Sequence, residues 1–300
     1  MRLSTSTNIY FNRPGGEKGS LDRCIRFCGQ GGYRRMDLNF VDYTNFRFPF
    51  VGGDYQRWIG QAMETAALYD ITFGQAHAPF YNFCDPLAEG REELDALILR
   101  SIDCAQTMGI PWVAIHAGTD FEAAEPRRSS LEKNRAYFLP VLEYAEKRNV
   151  GIAFENLWDL NIAPRKRYTA SVEDLIELVD SFPCSNAGIC FDVEHAAISR
   201  QDPAKLTRLI GKRLKATHIS DYLDMRANHL LPFSGPTEWE PFMAALRDIG
   251  YAGDFAFEIQ HHTEFLPDEL VPSAVRHSLE VGTYLLRLAE KRPKEEASHE

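Results

Sequence analysis

Short apolar runs alternate along almost the whole chain with longer stretches in which apolar residues recur every three or four positions. The short runs predict eight strands, at residues 8–11, 35–39, 72–77, 112–116, 151–155, 188–192, 216–219 and 255–259. Val113-Ala114-Ile115 and Ile152-Ala153-Phe154 are apolar without alternation, as in parallel strands covered on both faces. The three-and-four spacing predicts amphipathic helices over 92–108, 131–148, 171–181, 239–248 and 272–288. One stripe is Leu94, Leu97, Ile98, Ile102 and Ala105; another is Phe138, Val141, Leu142 and Ala145. Ser171 stands where a helix cap is needed, and Gly250 where a helix would end.

Strands alternating with helices imply a parallel sheet joined by right-handed crossovers. Eight repeats close naturally into a barrel, so the expected class is α/β, a (β/α)8 TIM barrel. At 44% hydrophobic, 300 residues can fill one large core. The expected layout is a single barrel domain over 1–289, followed by a charged tail at 290–300 that lacks apolar anchors and is expected to fray. The segment Asn12-Arg13-Pro14-Gly15-Gly16 has the spacing of neither a dinucleotide fingerprint nor a phosphate loop.

Charge narrows the partners. The 33 Lys and Arg against 43 Asp and Glu give a net charge of −10, which does not favour nucleic acid as a ligand. No run approaches the ~18 apolar residues of a membrane helix, and the first ten residues lack the apolar core of a signal peptide. The six cysteines form no Cys-x-x-Cys pair, and Cys24 and Cys28 share one helix face; buried, reduced thiols in a cytoplasmic protein are expected. Assembly into a homo-oligomer stays open.

The chemistry lies at the strand ends. His77, His116, Glu155 and Asp192 close successive strands, His195 follows three residues after Asp192, and His218 and Glu258 stand near the ends of the last two. In a barrel these side chains converge on the C-terminal face, where catalytic loops gather. Burying Glu155, Asp192 and Glu258 together would crowd like charges unless a cation neutralised them. Carboxylate oxygens with imidazole nitrogens suit one divalent metal ion, Mn²⁺, Mg²⁺, Co²⁺ or Zn²⁺, with room left for a second.

Phe154-Glu155-Asn156, Phe191-Asp192-Val193-Glu194-His195, Thr217-His218-Ile219-Ser220-Asp221 and Phe257-Glu258-Ile259 form an ordered set. So does His229-Leu230-Leu231-Pro232-Phe233-Ser234-Gly235 with the helix after it. Together they resemble the xylose-isomerase-like TIM barrel superfamily, which includes the sugar phosphate isomerase/epimerase family and the abasic-site endonucleases. The resemblance implies that Glu155, Asp192, His218 and Glu258 ligate one metal and that His195 binds a substrate oxygen. It places His77, His116 and His229 in the same pocket. The implied reaction is isomerisation or epimerisation of a small carbohydrate, free or phosphorylated, or a related lyase (dehydratase) step on a cyclic polyol. Proton transfer beside a carbonyl needs a base, an acid and an electrophile for the enediolate; Glu155 and Glu258 would be the acid/base pair. The alternative within the superfamily is a metal-dependent phosphodiesterase of abasic-site endonuclease type. Against it, Ala227 stands where that pattern has an aspartate. A third reading, sugar or metal binding without turnover, would need one of these groups to be missing.

Weaker signals remain. Arg226 is a candidate for a substrate hydroxyl or phosphate, and Arg165-Lys166-Arg167 either holds a phosphate or is a solvated run. Asn8 and Asp37 stand near the ends of the first two strands, and Trp158, Phe80 and Phe233 are candidate apolar walls.

Overall fold

The computed structural model describes residues 1–290 apart from residue 46, residues 159–164 and residue 225. Eight parallel strands, β1 (Arg2–Ser6), β2 (Arg35–Asn39), β3 (Thr72–His77), β4 (Trp112–His116), β5 (Gly151–Glu155), β6 (Ala187–Asp192), β7 (Leu214–His218) and β8 (Asp254–Phe257), pair in the order β7-β6-β5-β4-β3-β2-β1-β8. A parallel bridge between Ile219 and Phe257 closes the last seam. There Ile219 N–H donates to Ala256 O at 2.9 Å, and Glu258 N–H to Ile219 O at 3.0 Å. The result is a single (β/α)8 barrel.

Four strands lie as the apolar runs predict, to the residue: β2, β3, β4 and β5. The first does not. Residues 8–11 are not a strand; Thr7–Tyr10 is a short 3-10 turn at the barrel mouth, and β1 precedes it. Ser4, Thr5 and Ser6 fill the buried part of β1, so it carries no apolar run. Ile9 and Tyr10 are buried in loop packing instead.

Nine helices of the described residues cover the barrel: α1 (Leu21–Gly31), α2 (Tyr55–Ala67), α3 (Arg91–Met108), α4 (Pro126–Glu146), α5 (Val172–Asp180), α6 (Val193–Ile198), α7 (Pro203–Ile210), α8 (Trp239–Asp248) and α9 (Val271–Glu290). Their apolar stripes meet the outward faces of the strands. Phe154 of β5 is fully buried, 4.8 Å by ring centroids from Phe138 of α4 and stacked on Phe182 at 5.4 Å. Truncating such a ring costs about 3–5 kcal/mol. The ring of helices closes where α1 meets α9, and Gly31 lies so near Val275 that a Cβ would overlap it. Cys24 and Cys28 are buried in α1, and all six cysteines are free. No helix among the described residues is long and apolar enough to cross a membrane. Of the expected tail, residues 291–300 lie outside the described residues.

Inside the barrel, Ala114, Ala153, Cys190 and Ala216 pack as a layer of small side chains. At the N-terminal ends of the strands, Arg35 Nε lies 2.7 Å and Arg2 Nε 3.1 Å from Asp254 Oδ1. Gly74 of β3 passes so close to this cluster that a Cβ would collide with Asp254 and Arg35. The two ends of the barrel thus differ: arginine–aspartate ion pairs at the bottom, a cluster of acids and imidazoles at the top.

Candidate metal and substrate site

The C-terminal strand ends bring together eight of the nine side chains singled out from the sequence. Glu155, at the end of β5, is the hub. Its Oε2 lies 3.0 Å from His77 Nε2, 3.2 Å from His218 Nδ1 and 3.5 Å from His116 Nε2. Its Oε1 lies 3.4 Å from His195 Nδ1. Glu258 Oε2 stands 3.5 Å from His218 Nδ1 and 3.9 Å from His229 Nδ1. His218, fully buried, therefore sits between the two glutamates.

Local structure explains these positions. Asp192 is the N-cap of α6: Oδ1 accepts the His195 N–H at 2.8 Å, which turns His195 back towards the strand ends. His195 Nδ1 donates to the Asn156 carbonyl at 2.8 Å, so in the neutral ring Nε2 is the free acceptor. His77 Nδ1 likewise meets the Ala78 carbonyl at 2.8 Å while Nε2 faces Glu155, so both ring nitrogens donate. Burial works against that charged imidazole, but the Glu155 carboxylate outweighs it and raises the pKa of His77. Burial dominates at His116, whose pKa falls to about 4, and lowers His195 as well. Burial pushes Glu155 upward, yet the imidazoles around it, His218 first, hold it well below the usual range. Asp192 goes the other way: burial, then the charges of Glu155 and Glu258, drives it well up.

The cavity above these groups has a volume of about 160 Å³ and is lined by His77, His116, Glu155, His195, His229 and Glu258 among others. Phe80 and Trp158 form its apolar walls. Phe233 does not line it and packs against Trp239 and Tyr284. Arg226 is exposed and is not brought to the cavity; its N–H bonds Asp224 Oδ1 at 2.7 Å.

Three further acids gather here. Asp37 of β2 points its Oδ2 at His218 Nε2 across 3.6 Å. Asp42, in the loop after β2, lines the cavity and is pushed up to about 8 by burial and by Glu258. Glu194 is buried beneath the His229 loop, accepting from His229 N–H at 2.6 Å and from Ser220 Oγ at 3.0 Å. Asn8 steadies Glu258 by donating to its Oε1 at 3.3 Å. The loop itself is gathered by Asp221, whose carboxylate accepts from the N–H groups of Tyr222, Phe233, Gly235 and Thr237.

The donor set suits a divalent cation. Among the described residues, His218 Nδ1 and Nε2, Asp192 Oδ2 and both Asp37 oxygens are buried without a hydrogen-bond partner, a concentration native interiors avoid. Ligand atoms of Asp192, His218 and Glu258 lie within 4.8 Å of one another, as do those of Glu155, Asp192 and His195.

A family model described as a xylose isomerase-like TIM barrel matches residues 25–281. The chain belongs to that family. Among solved members of the fold, a D-tagatose 3-epimerase-like protein superposes with a TM-score of 0.75 at 19% identity, over 97% of this chain and 98% of that one. The IOLI protein with a bound zinc atom superposes at 0.74 and 16% identity, over 95% of this chain and 98% of its own. D-psicose 3-epimerase in the presence of D-fructose gives 0.72 and 13%, over 95% and 99%. At these identities the likeness is one of fold. A curated relative, the uncharacterized protein y4fM of Sinorhizobium fredii, is 31% identical over 167 residues, 54% of this chain and 51% of that protein. The match thus spans about half the length of that relative.

Proposed function

We propose that the protein is a divalent-metal-dependent isomerase or epimerase of small carbohydrates, acting by proton transfer at a carbon beside a ketone. The observation that carries this is the cluster Glu155, Asp192, His218 and Glu258, with its buried unpartnered atoms at the mouth of a sugar-sized cavity. Membership of the family and the 3-epimerases among its structural neighbours support it.

Those four residues would hold one ion, Mn²⁺, Mg²⁺, Co²⁺ or Zn²⁺; zinc is the ion in the IOLI structure. When bound, such an ion acts as a Lewis acid that polarises a carbonyl and stabilises negative charge on its oxygen. The chain supplies the rest. Glu258, 8% exposed at the cavity and held at Oε1 by Asn8, takes the proton from the carbon beside the carbonyl. Glu155, from β5, returns a proton to the opposite face in an epimerisation, drawing it from the His77 imidazolium whose Nε2 lies 3.0 Å from its Oε2. His195 Nε2 and His77 orient substrate hydroxyls. Phe80 and Trp158 keep water from the intermediate. A positioned acid or base of this kind contributes roughly 10²–10⁴-fold.

The test is solvent exchange. Mn²⁺-loaded protein incubated with D-fructose, D-tagatose and D-psicose in D₂O should wash deuterium into the carbon beside the carbonyl, read by NMR. E258Q should slow this by at least ~10²-fold while the far-UV spectrum is unchanged. Exchange at the wild-type rate in E258Q would remove Glu258 from the proton path.

A second reading rests on a separate triad. His77, His116 and Glu155 also place ligand atoms within 4.8 Å, as a second ion would require. More than one metal per chain, with one lost in H77A, would support a metal-dependent phosphodiesterase. Ala227 offers no carboxylate to a third.

A further inference from the structure

A wider recess, about 470 Å³, opens beside the metal-site cavity and shares Phe80 and His116 with it. Phe80 stacks on the His116 ring at 3.8 Å, so the two spaces are neighbours across one aromatic wall. Two of the three basic residues following β5 border the recess, and the structure separates the roles of all three. Arg165 is engaged by Glu122 and lies over Phe121 at 5.5 Å. Lys166 is exposed. Arg167 is half-buried, and its guanidinium lies 4.3 Å over the Trp158 ring.

Among the described residues no carboxylate or carbonyl accepts a hydrogen bond from Arg167, and burial alone pulls its pKa down. Arg13, the buried arginine of the same barrel face, is the contrast. It donates to Thr263 O at 2.7 Å and pairs with Asp268 at 3.1 Å. A guanidinium has five donors and no acceptor, so burying it without a partner is unfavourable unless a ligand supplies one. The His195 ring, the Trp158 ring and the Arg167 guanidinium follow one another at 4.6 and 4.3 Å. The guanidinium and His195 thus contact one shared Trp158 ring, which sets Arg167 next to the metal-site cavity.

We infer that Arg167 is an anion-binding subsite and that the substrate is a ketose carrying a carboxylate or phosphate at the end away from its carbonyl. This rests on the isomerase or epimerase reading above. Trp158 packs against the planar guanidinium, whose fork of donors suits two oxygens of an anion. The apolar wall of Phe80 and Leu157 strengthens that contact by excluding water.

The experiment compares D-fructose, D-fructose 6-phosphate and D-fructuronate with Mn²⁺-loaded full-length protein, measuring kcat/KM for deuterium exchange. Inorganic phosphate serves as a competing ion. The wild type should prefer one of the anionic ketoses over D-fructose by at least tenfold, and which one wins distinguishes phosphate from carboxylate. R167Q should bring that ratio close to one, R167K should fall between, and K166Q should keep it. No preference in the wild type, or a preference that survives R167Q, overturns the inference while leaving the isomerase reading intact. No exchange with any of the three sugars overturns both.

Discussion

The proposed metal site should weaken the barrel when it is empty, and one substitution tests this. Asp192 is fully buried; Oδ1 caps α6 through the His195 N–H, while Oδ2 has no partner. Burial and the charges of Glu155, Glu258 and Glu194 all oppose its ionisation. In D192N the amide oxygen keeps the cap, for which asparagine serves as well as aspartate, and the cost of burying an acid that resists ionisation is gone. Relief of an uncompensated buried polar group is worth on the order of 1–3 kcal/mol. Unfolding a chain of this length releases about 0.6 kcal/mol per kelvin of entropy. D192N should therefore melt about 2–5 °C above the wild type in EDTA. Metal closes that gap. At a hundredfold excess over Kd the wild type should gain about 2.7 kcal/mol, or 4–5 °C, and D192N far less. Differential scanning calorimetry with EDTA and with Mn²⁺ reads both numbers. A lower Tm for D192N in EDTA, or an equal Mn²⁺ increment in the two proteins, would refute the reasoning.

Two further substitutions probe the carboxylate behind His218 and the barrel floor. D37A should weaken Mn²⁺ binding by about 10–100-fold, because it removes the carboxylate facing His218 Nε2 and frees the ring to turn; a dye-competition titration with unchanged affinity would mean that Asp37 does not hold that ring. G74A should lower stability by about 1–3 kcal/mol in a urea melt, since the new methyl displaces Asp254 and Arg35 from their ion pair; an unshifted midpoint would show that the cluster relaxes around it.

The parts of this fold legible in the sequence are those in which apolar content and position coincide. β4 and β5 were readable because each is an apolar run that stops at a polar residue at the C-terminal end of the barrel, and strand-end position likewise marked His77, His116, Glu155 and Asp192. β1 was not, because Ser4, Thr5 and Ser6 are buried by being small and hydrogen-bonding, which leaves no hydrophobic trace. Asp37 was only a weak strand-end signal, and Asp42 and Glu194 escaped, for another reason. An acid in a β-strand or loop acquires its role only from what the barrel sets opposite it, and the His218 that Asp37 faces comes from the far side of the chain. Arg226 shows the converse: close to His218 in sequence, it is carried outward by the turn at Asp224.

Asp221 has a consequence for how the pocket opens. One buried carboxylate gathers the amides of Tyr222, Phe233, Gly235 and Thr237, and the bridge from Asp221 to Leu230 ties the returning strand to the same residue. These amides cannot be released one at a time without leaving the acid under-bonded. In hydrogen exchange they should therefore appear as a single cooperative unit rather than as a fraying loop. The wall that carries His229 should accordingly open as one piece or stay shut.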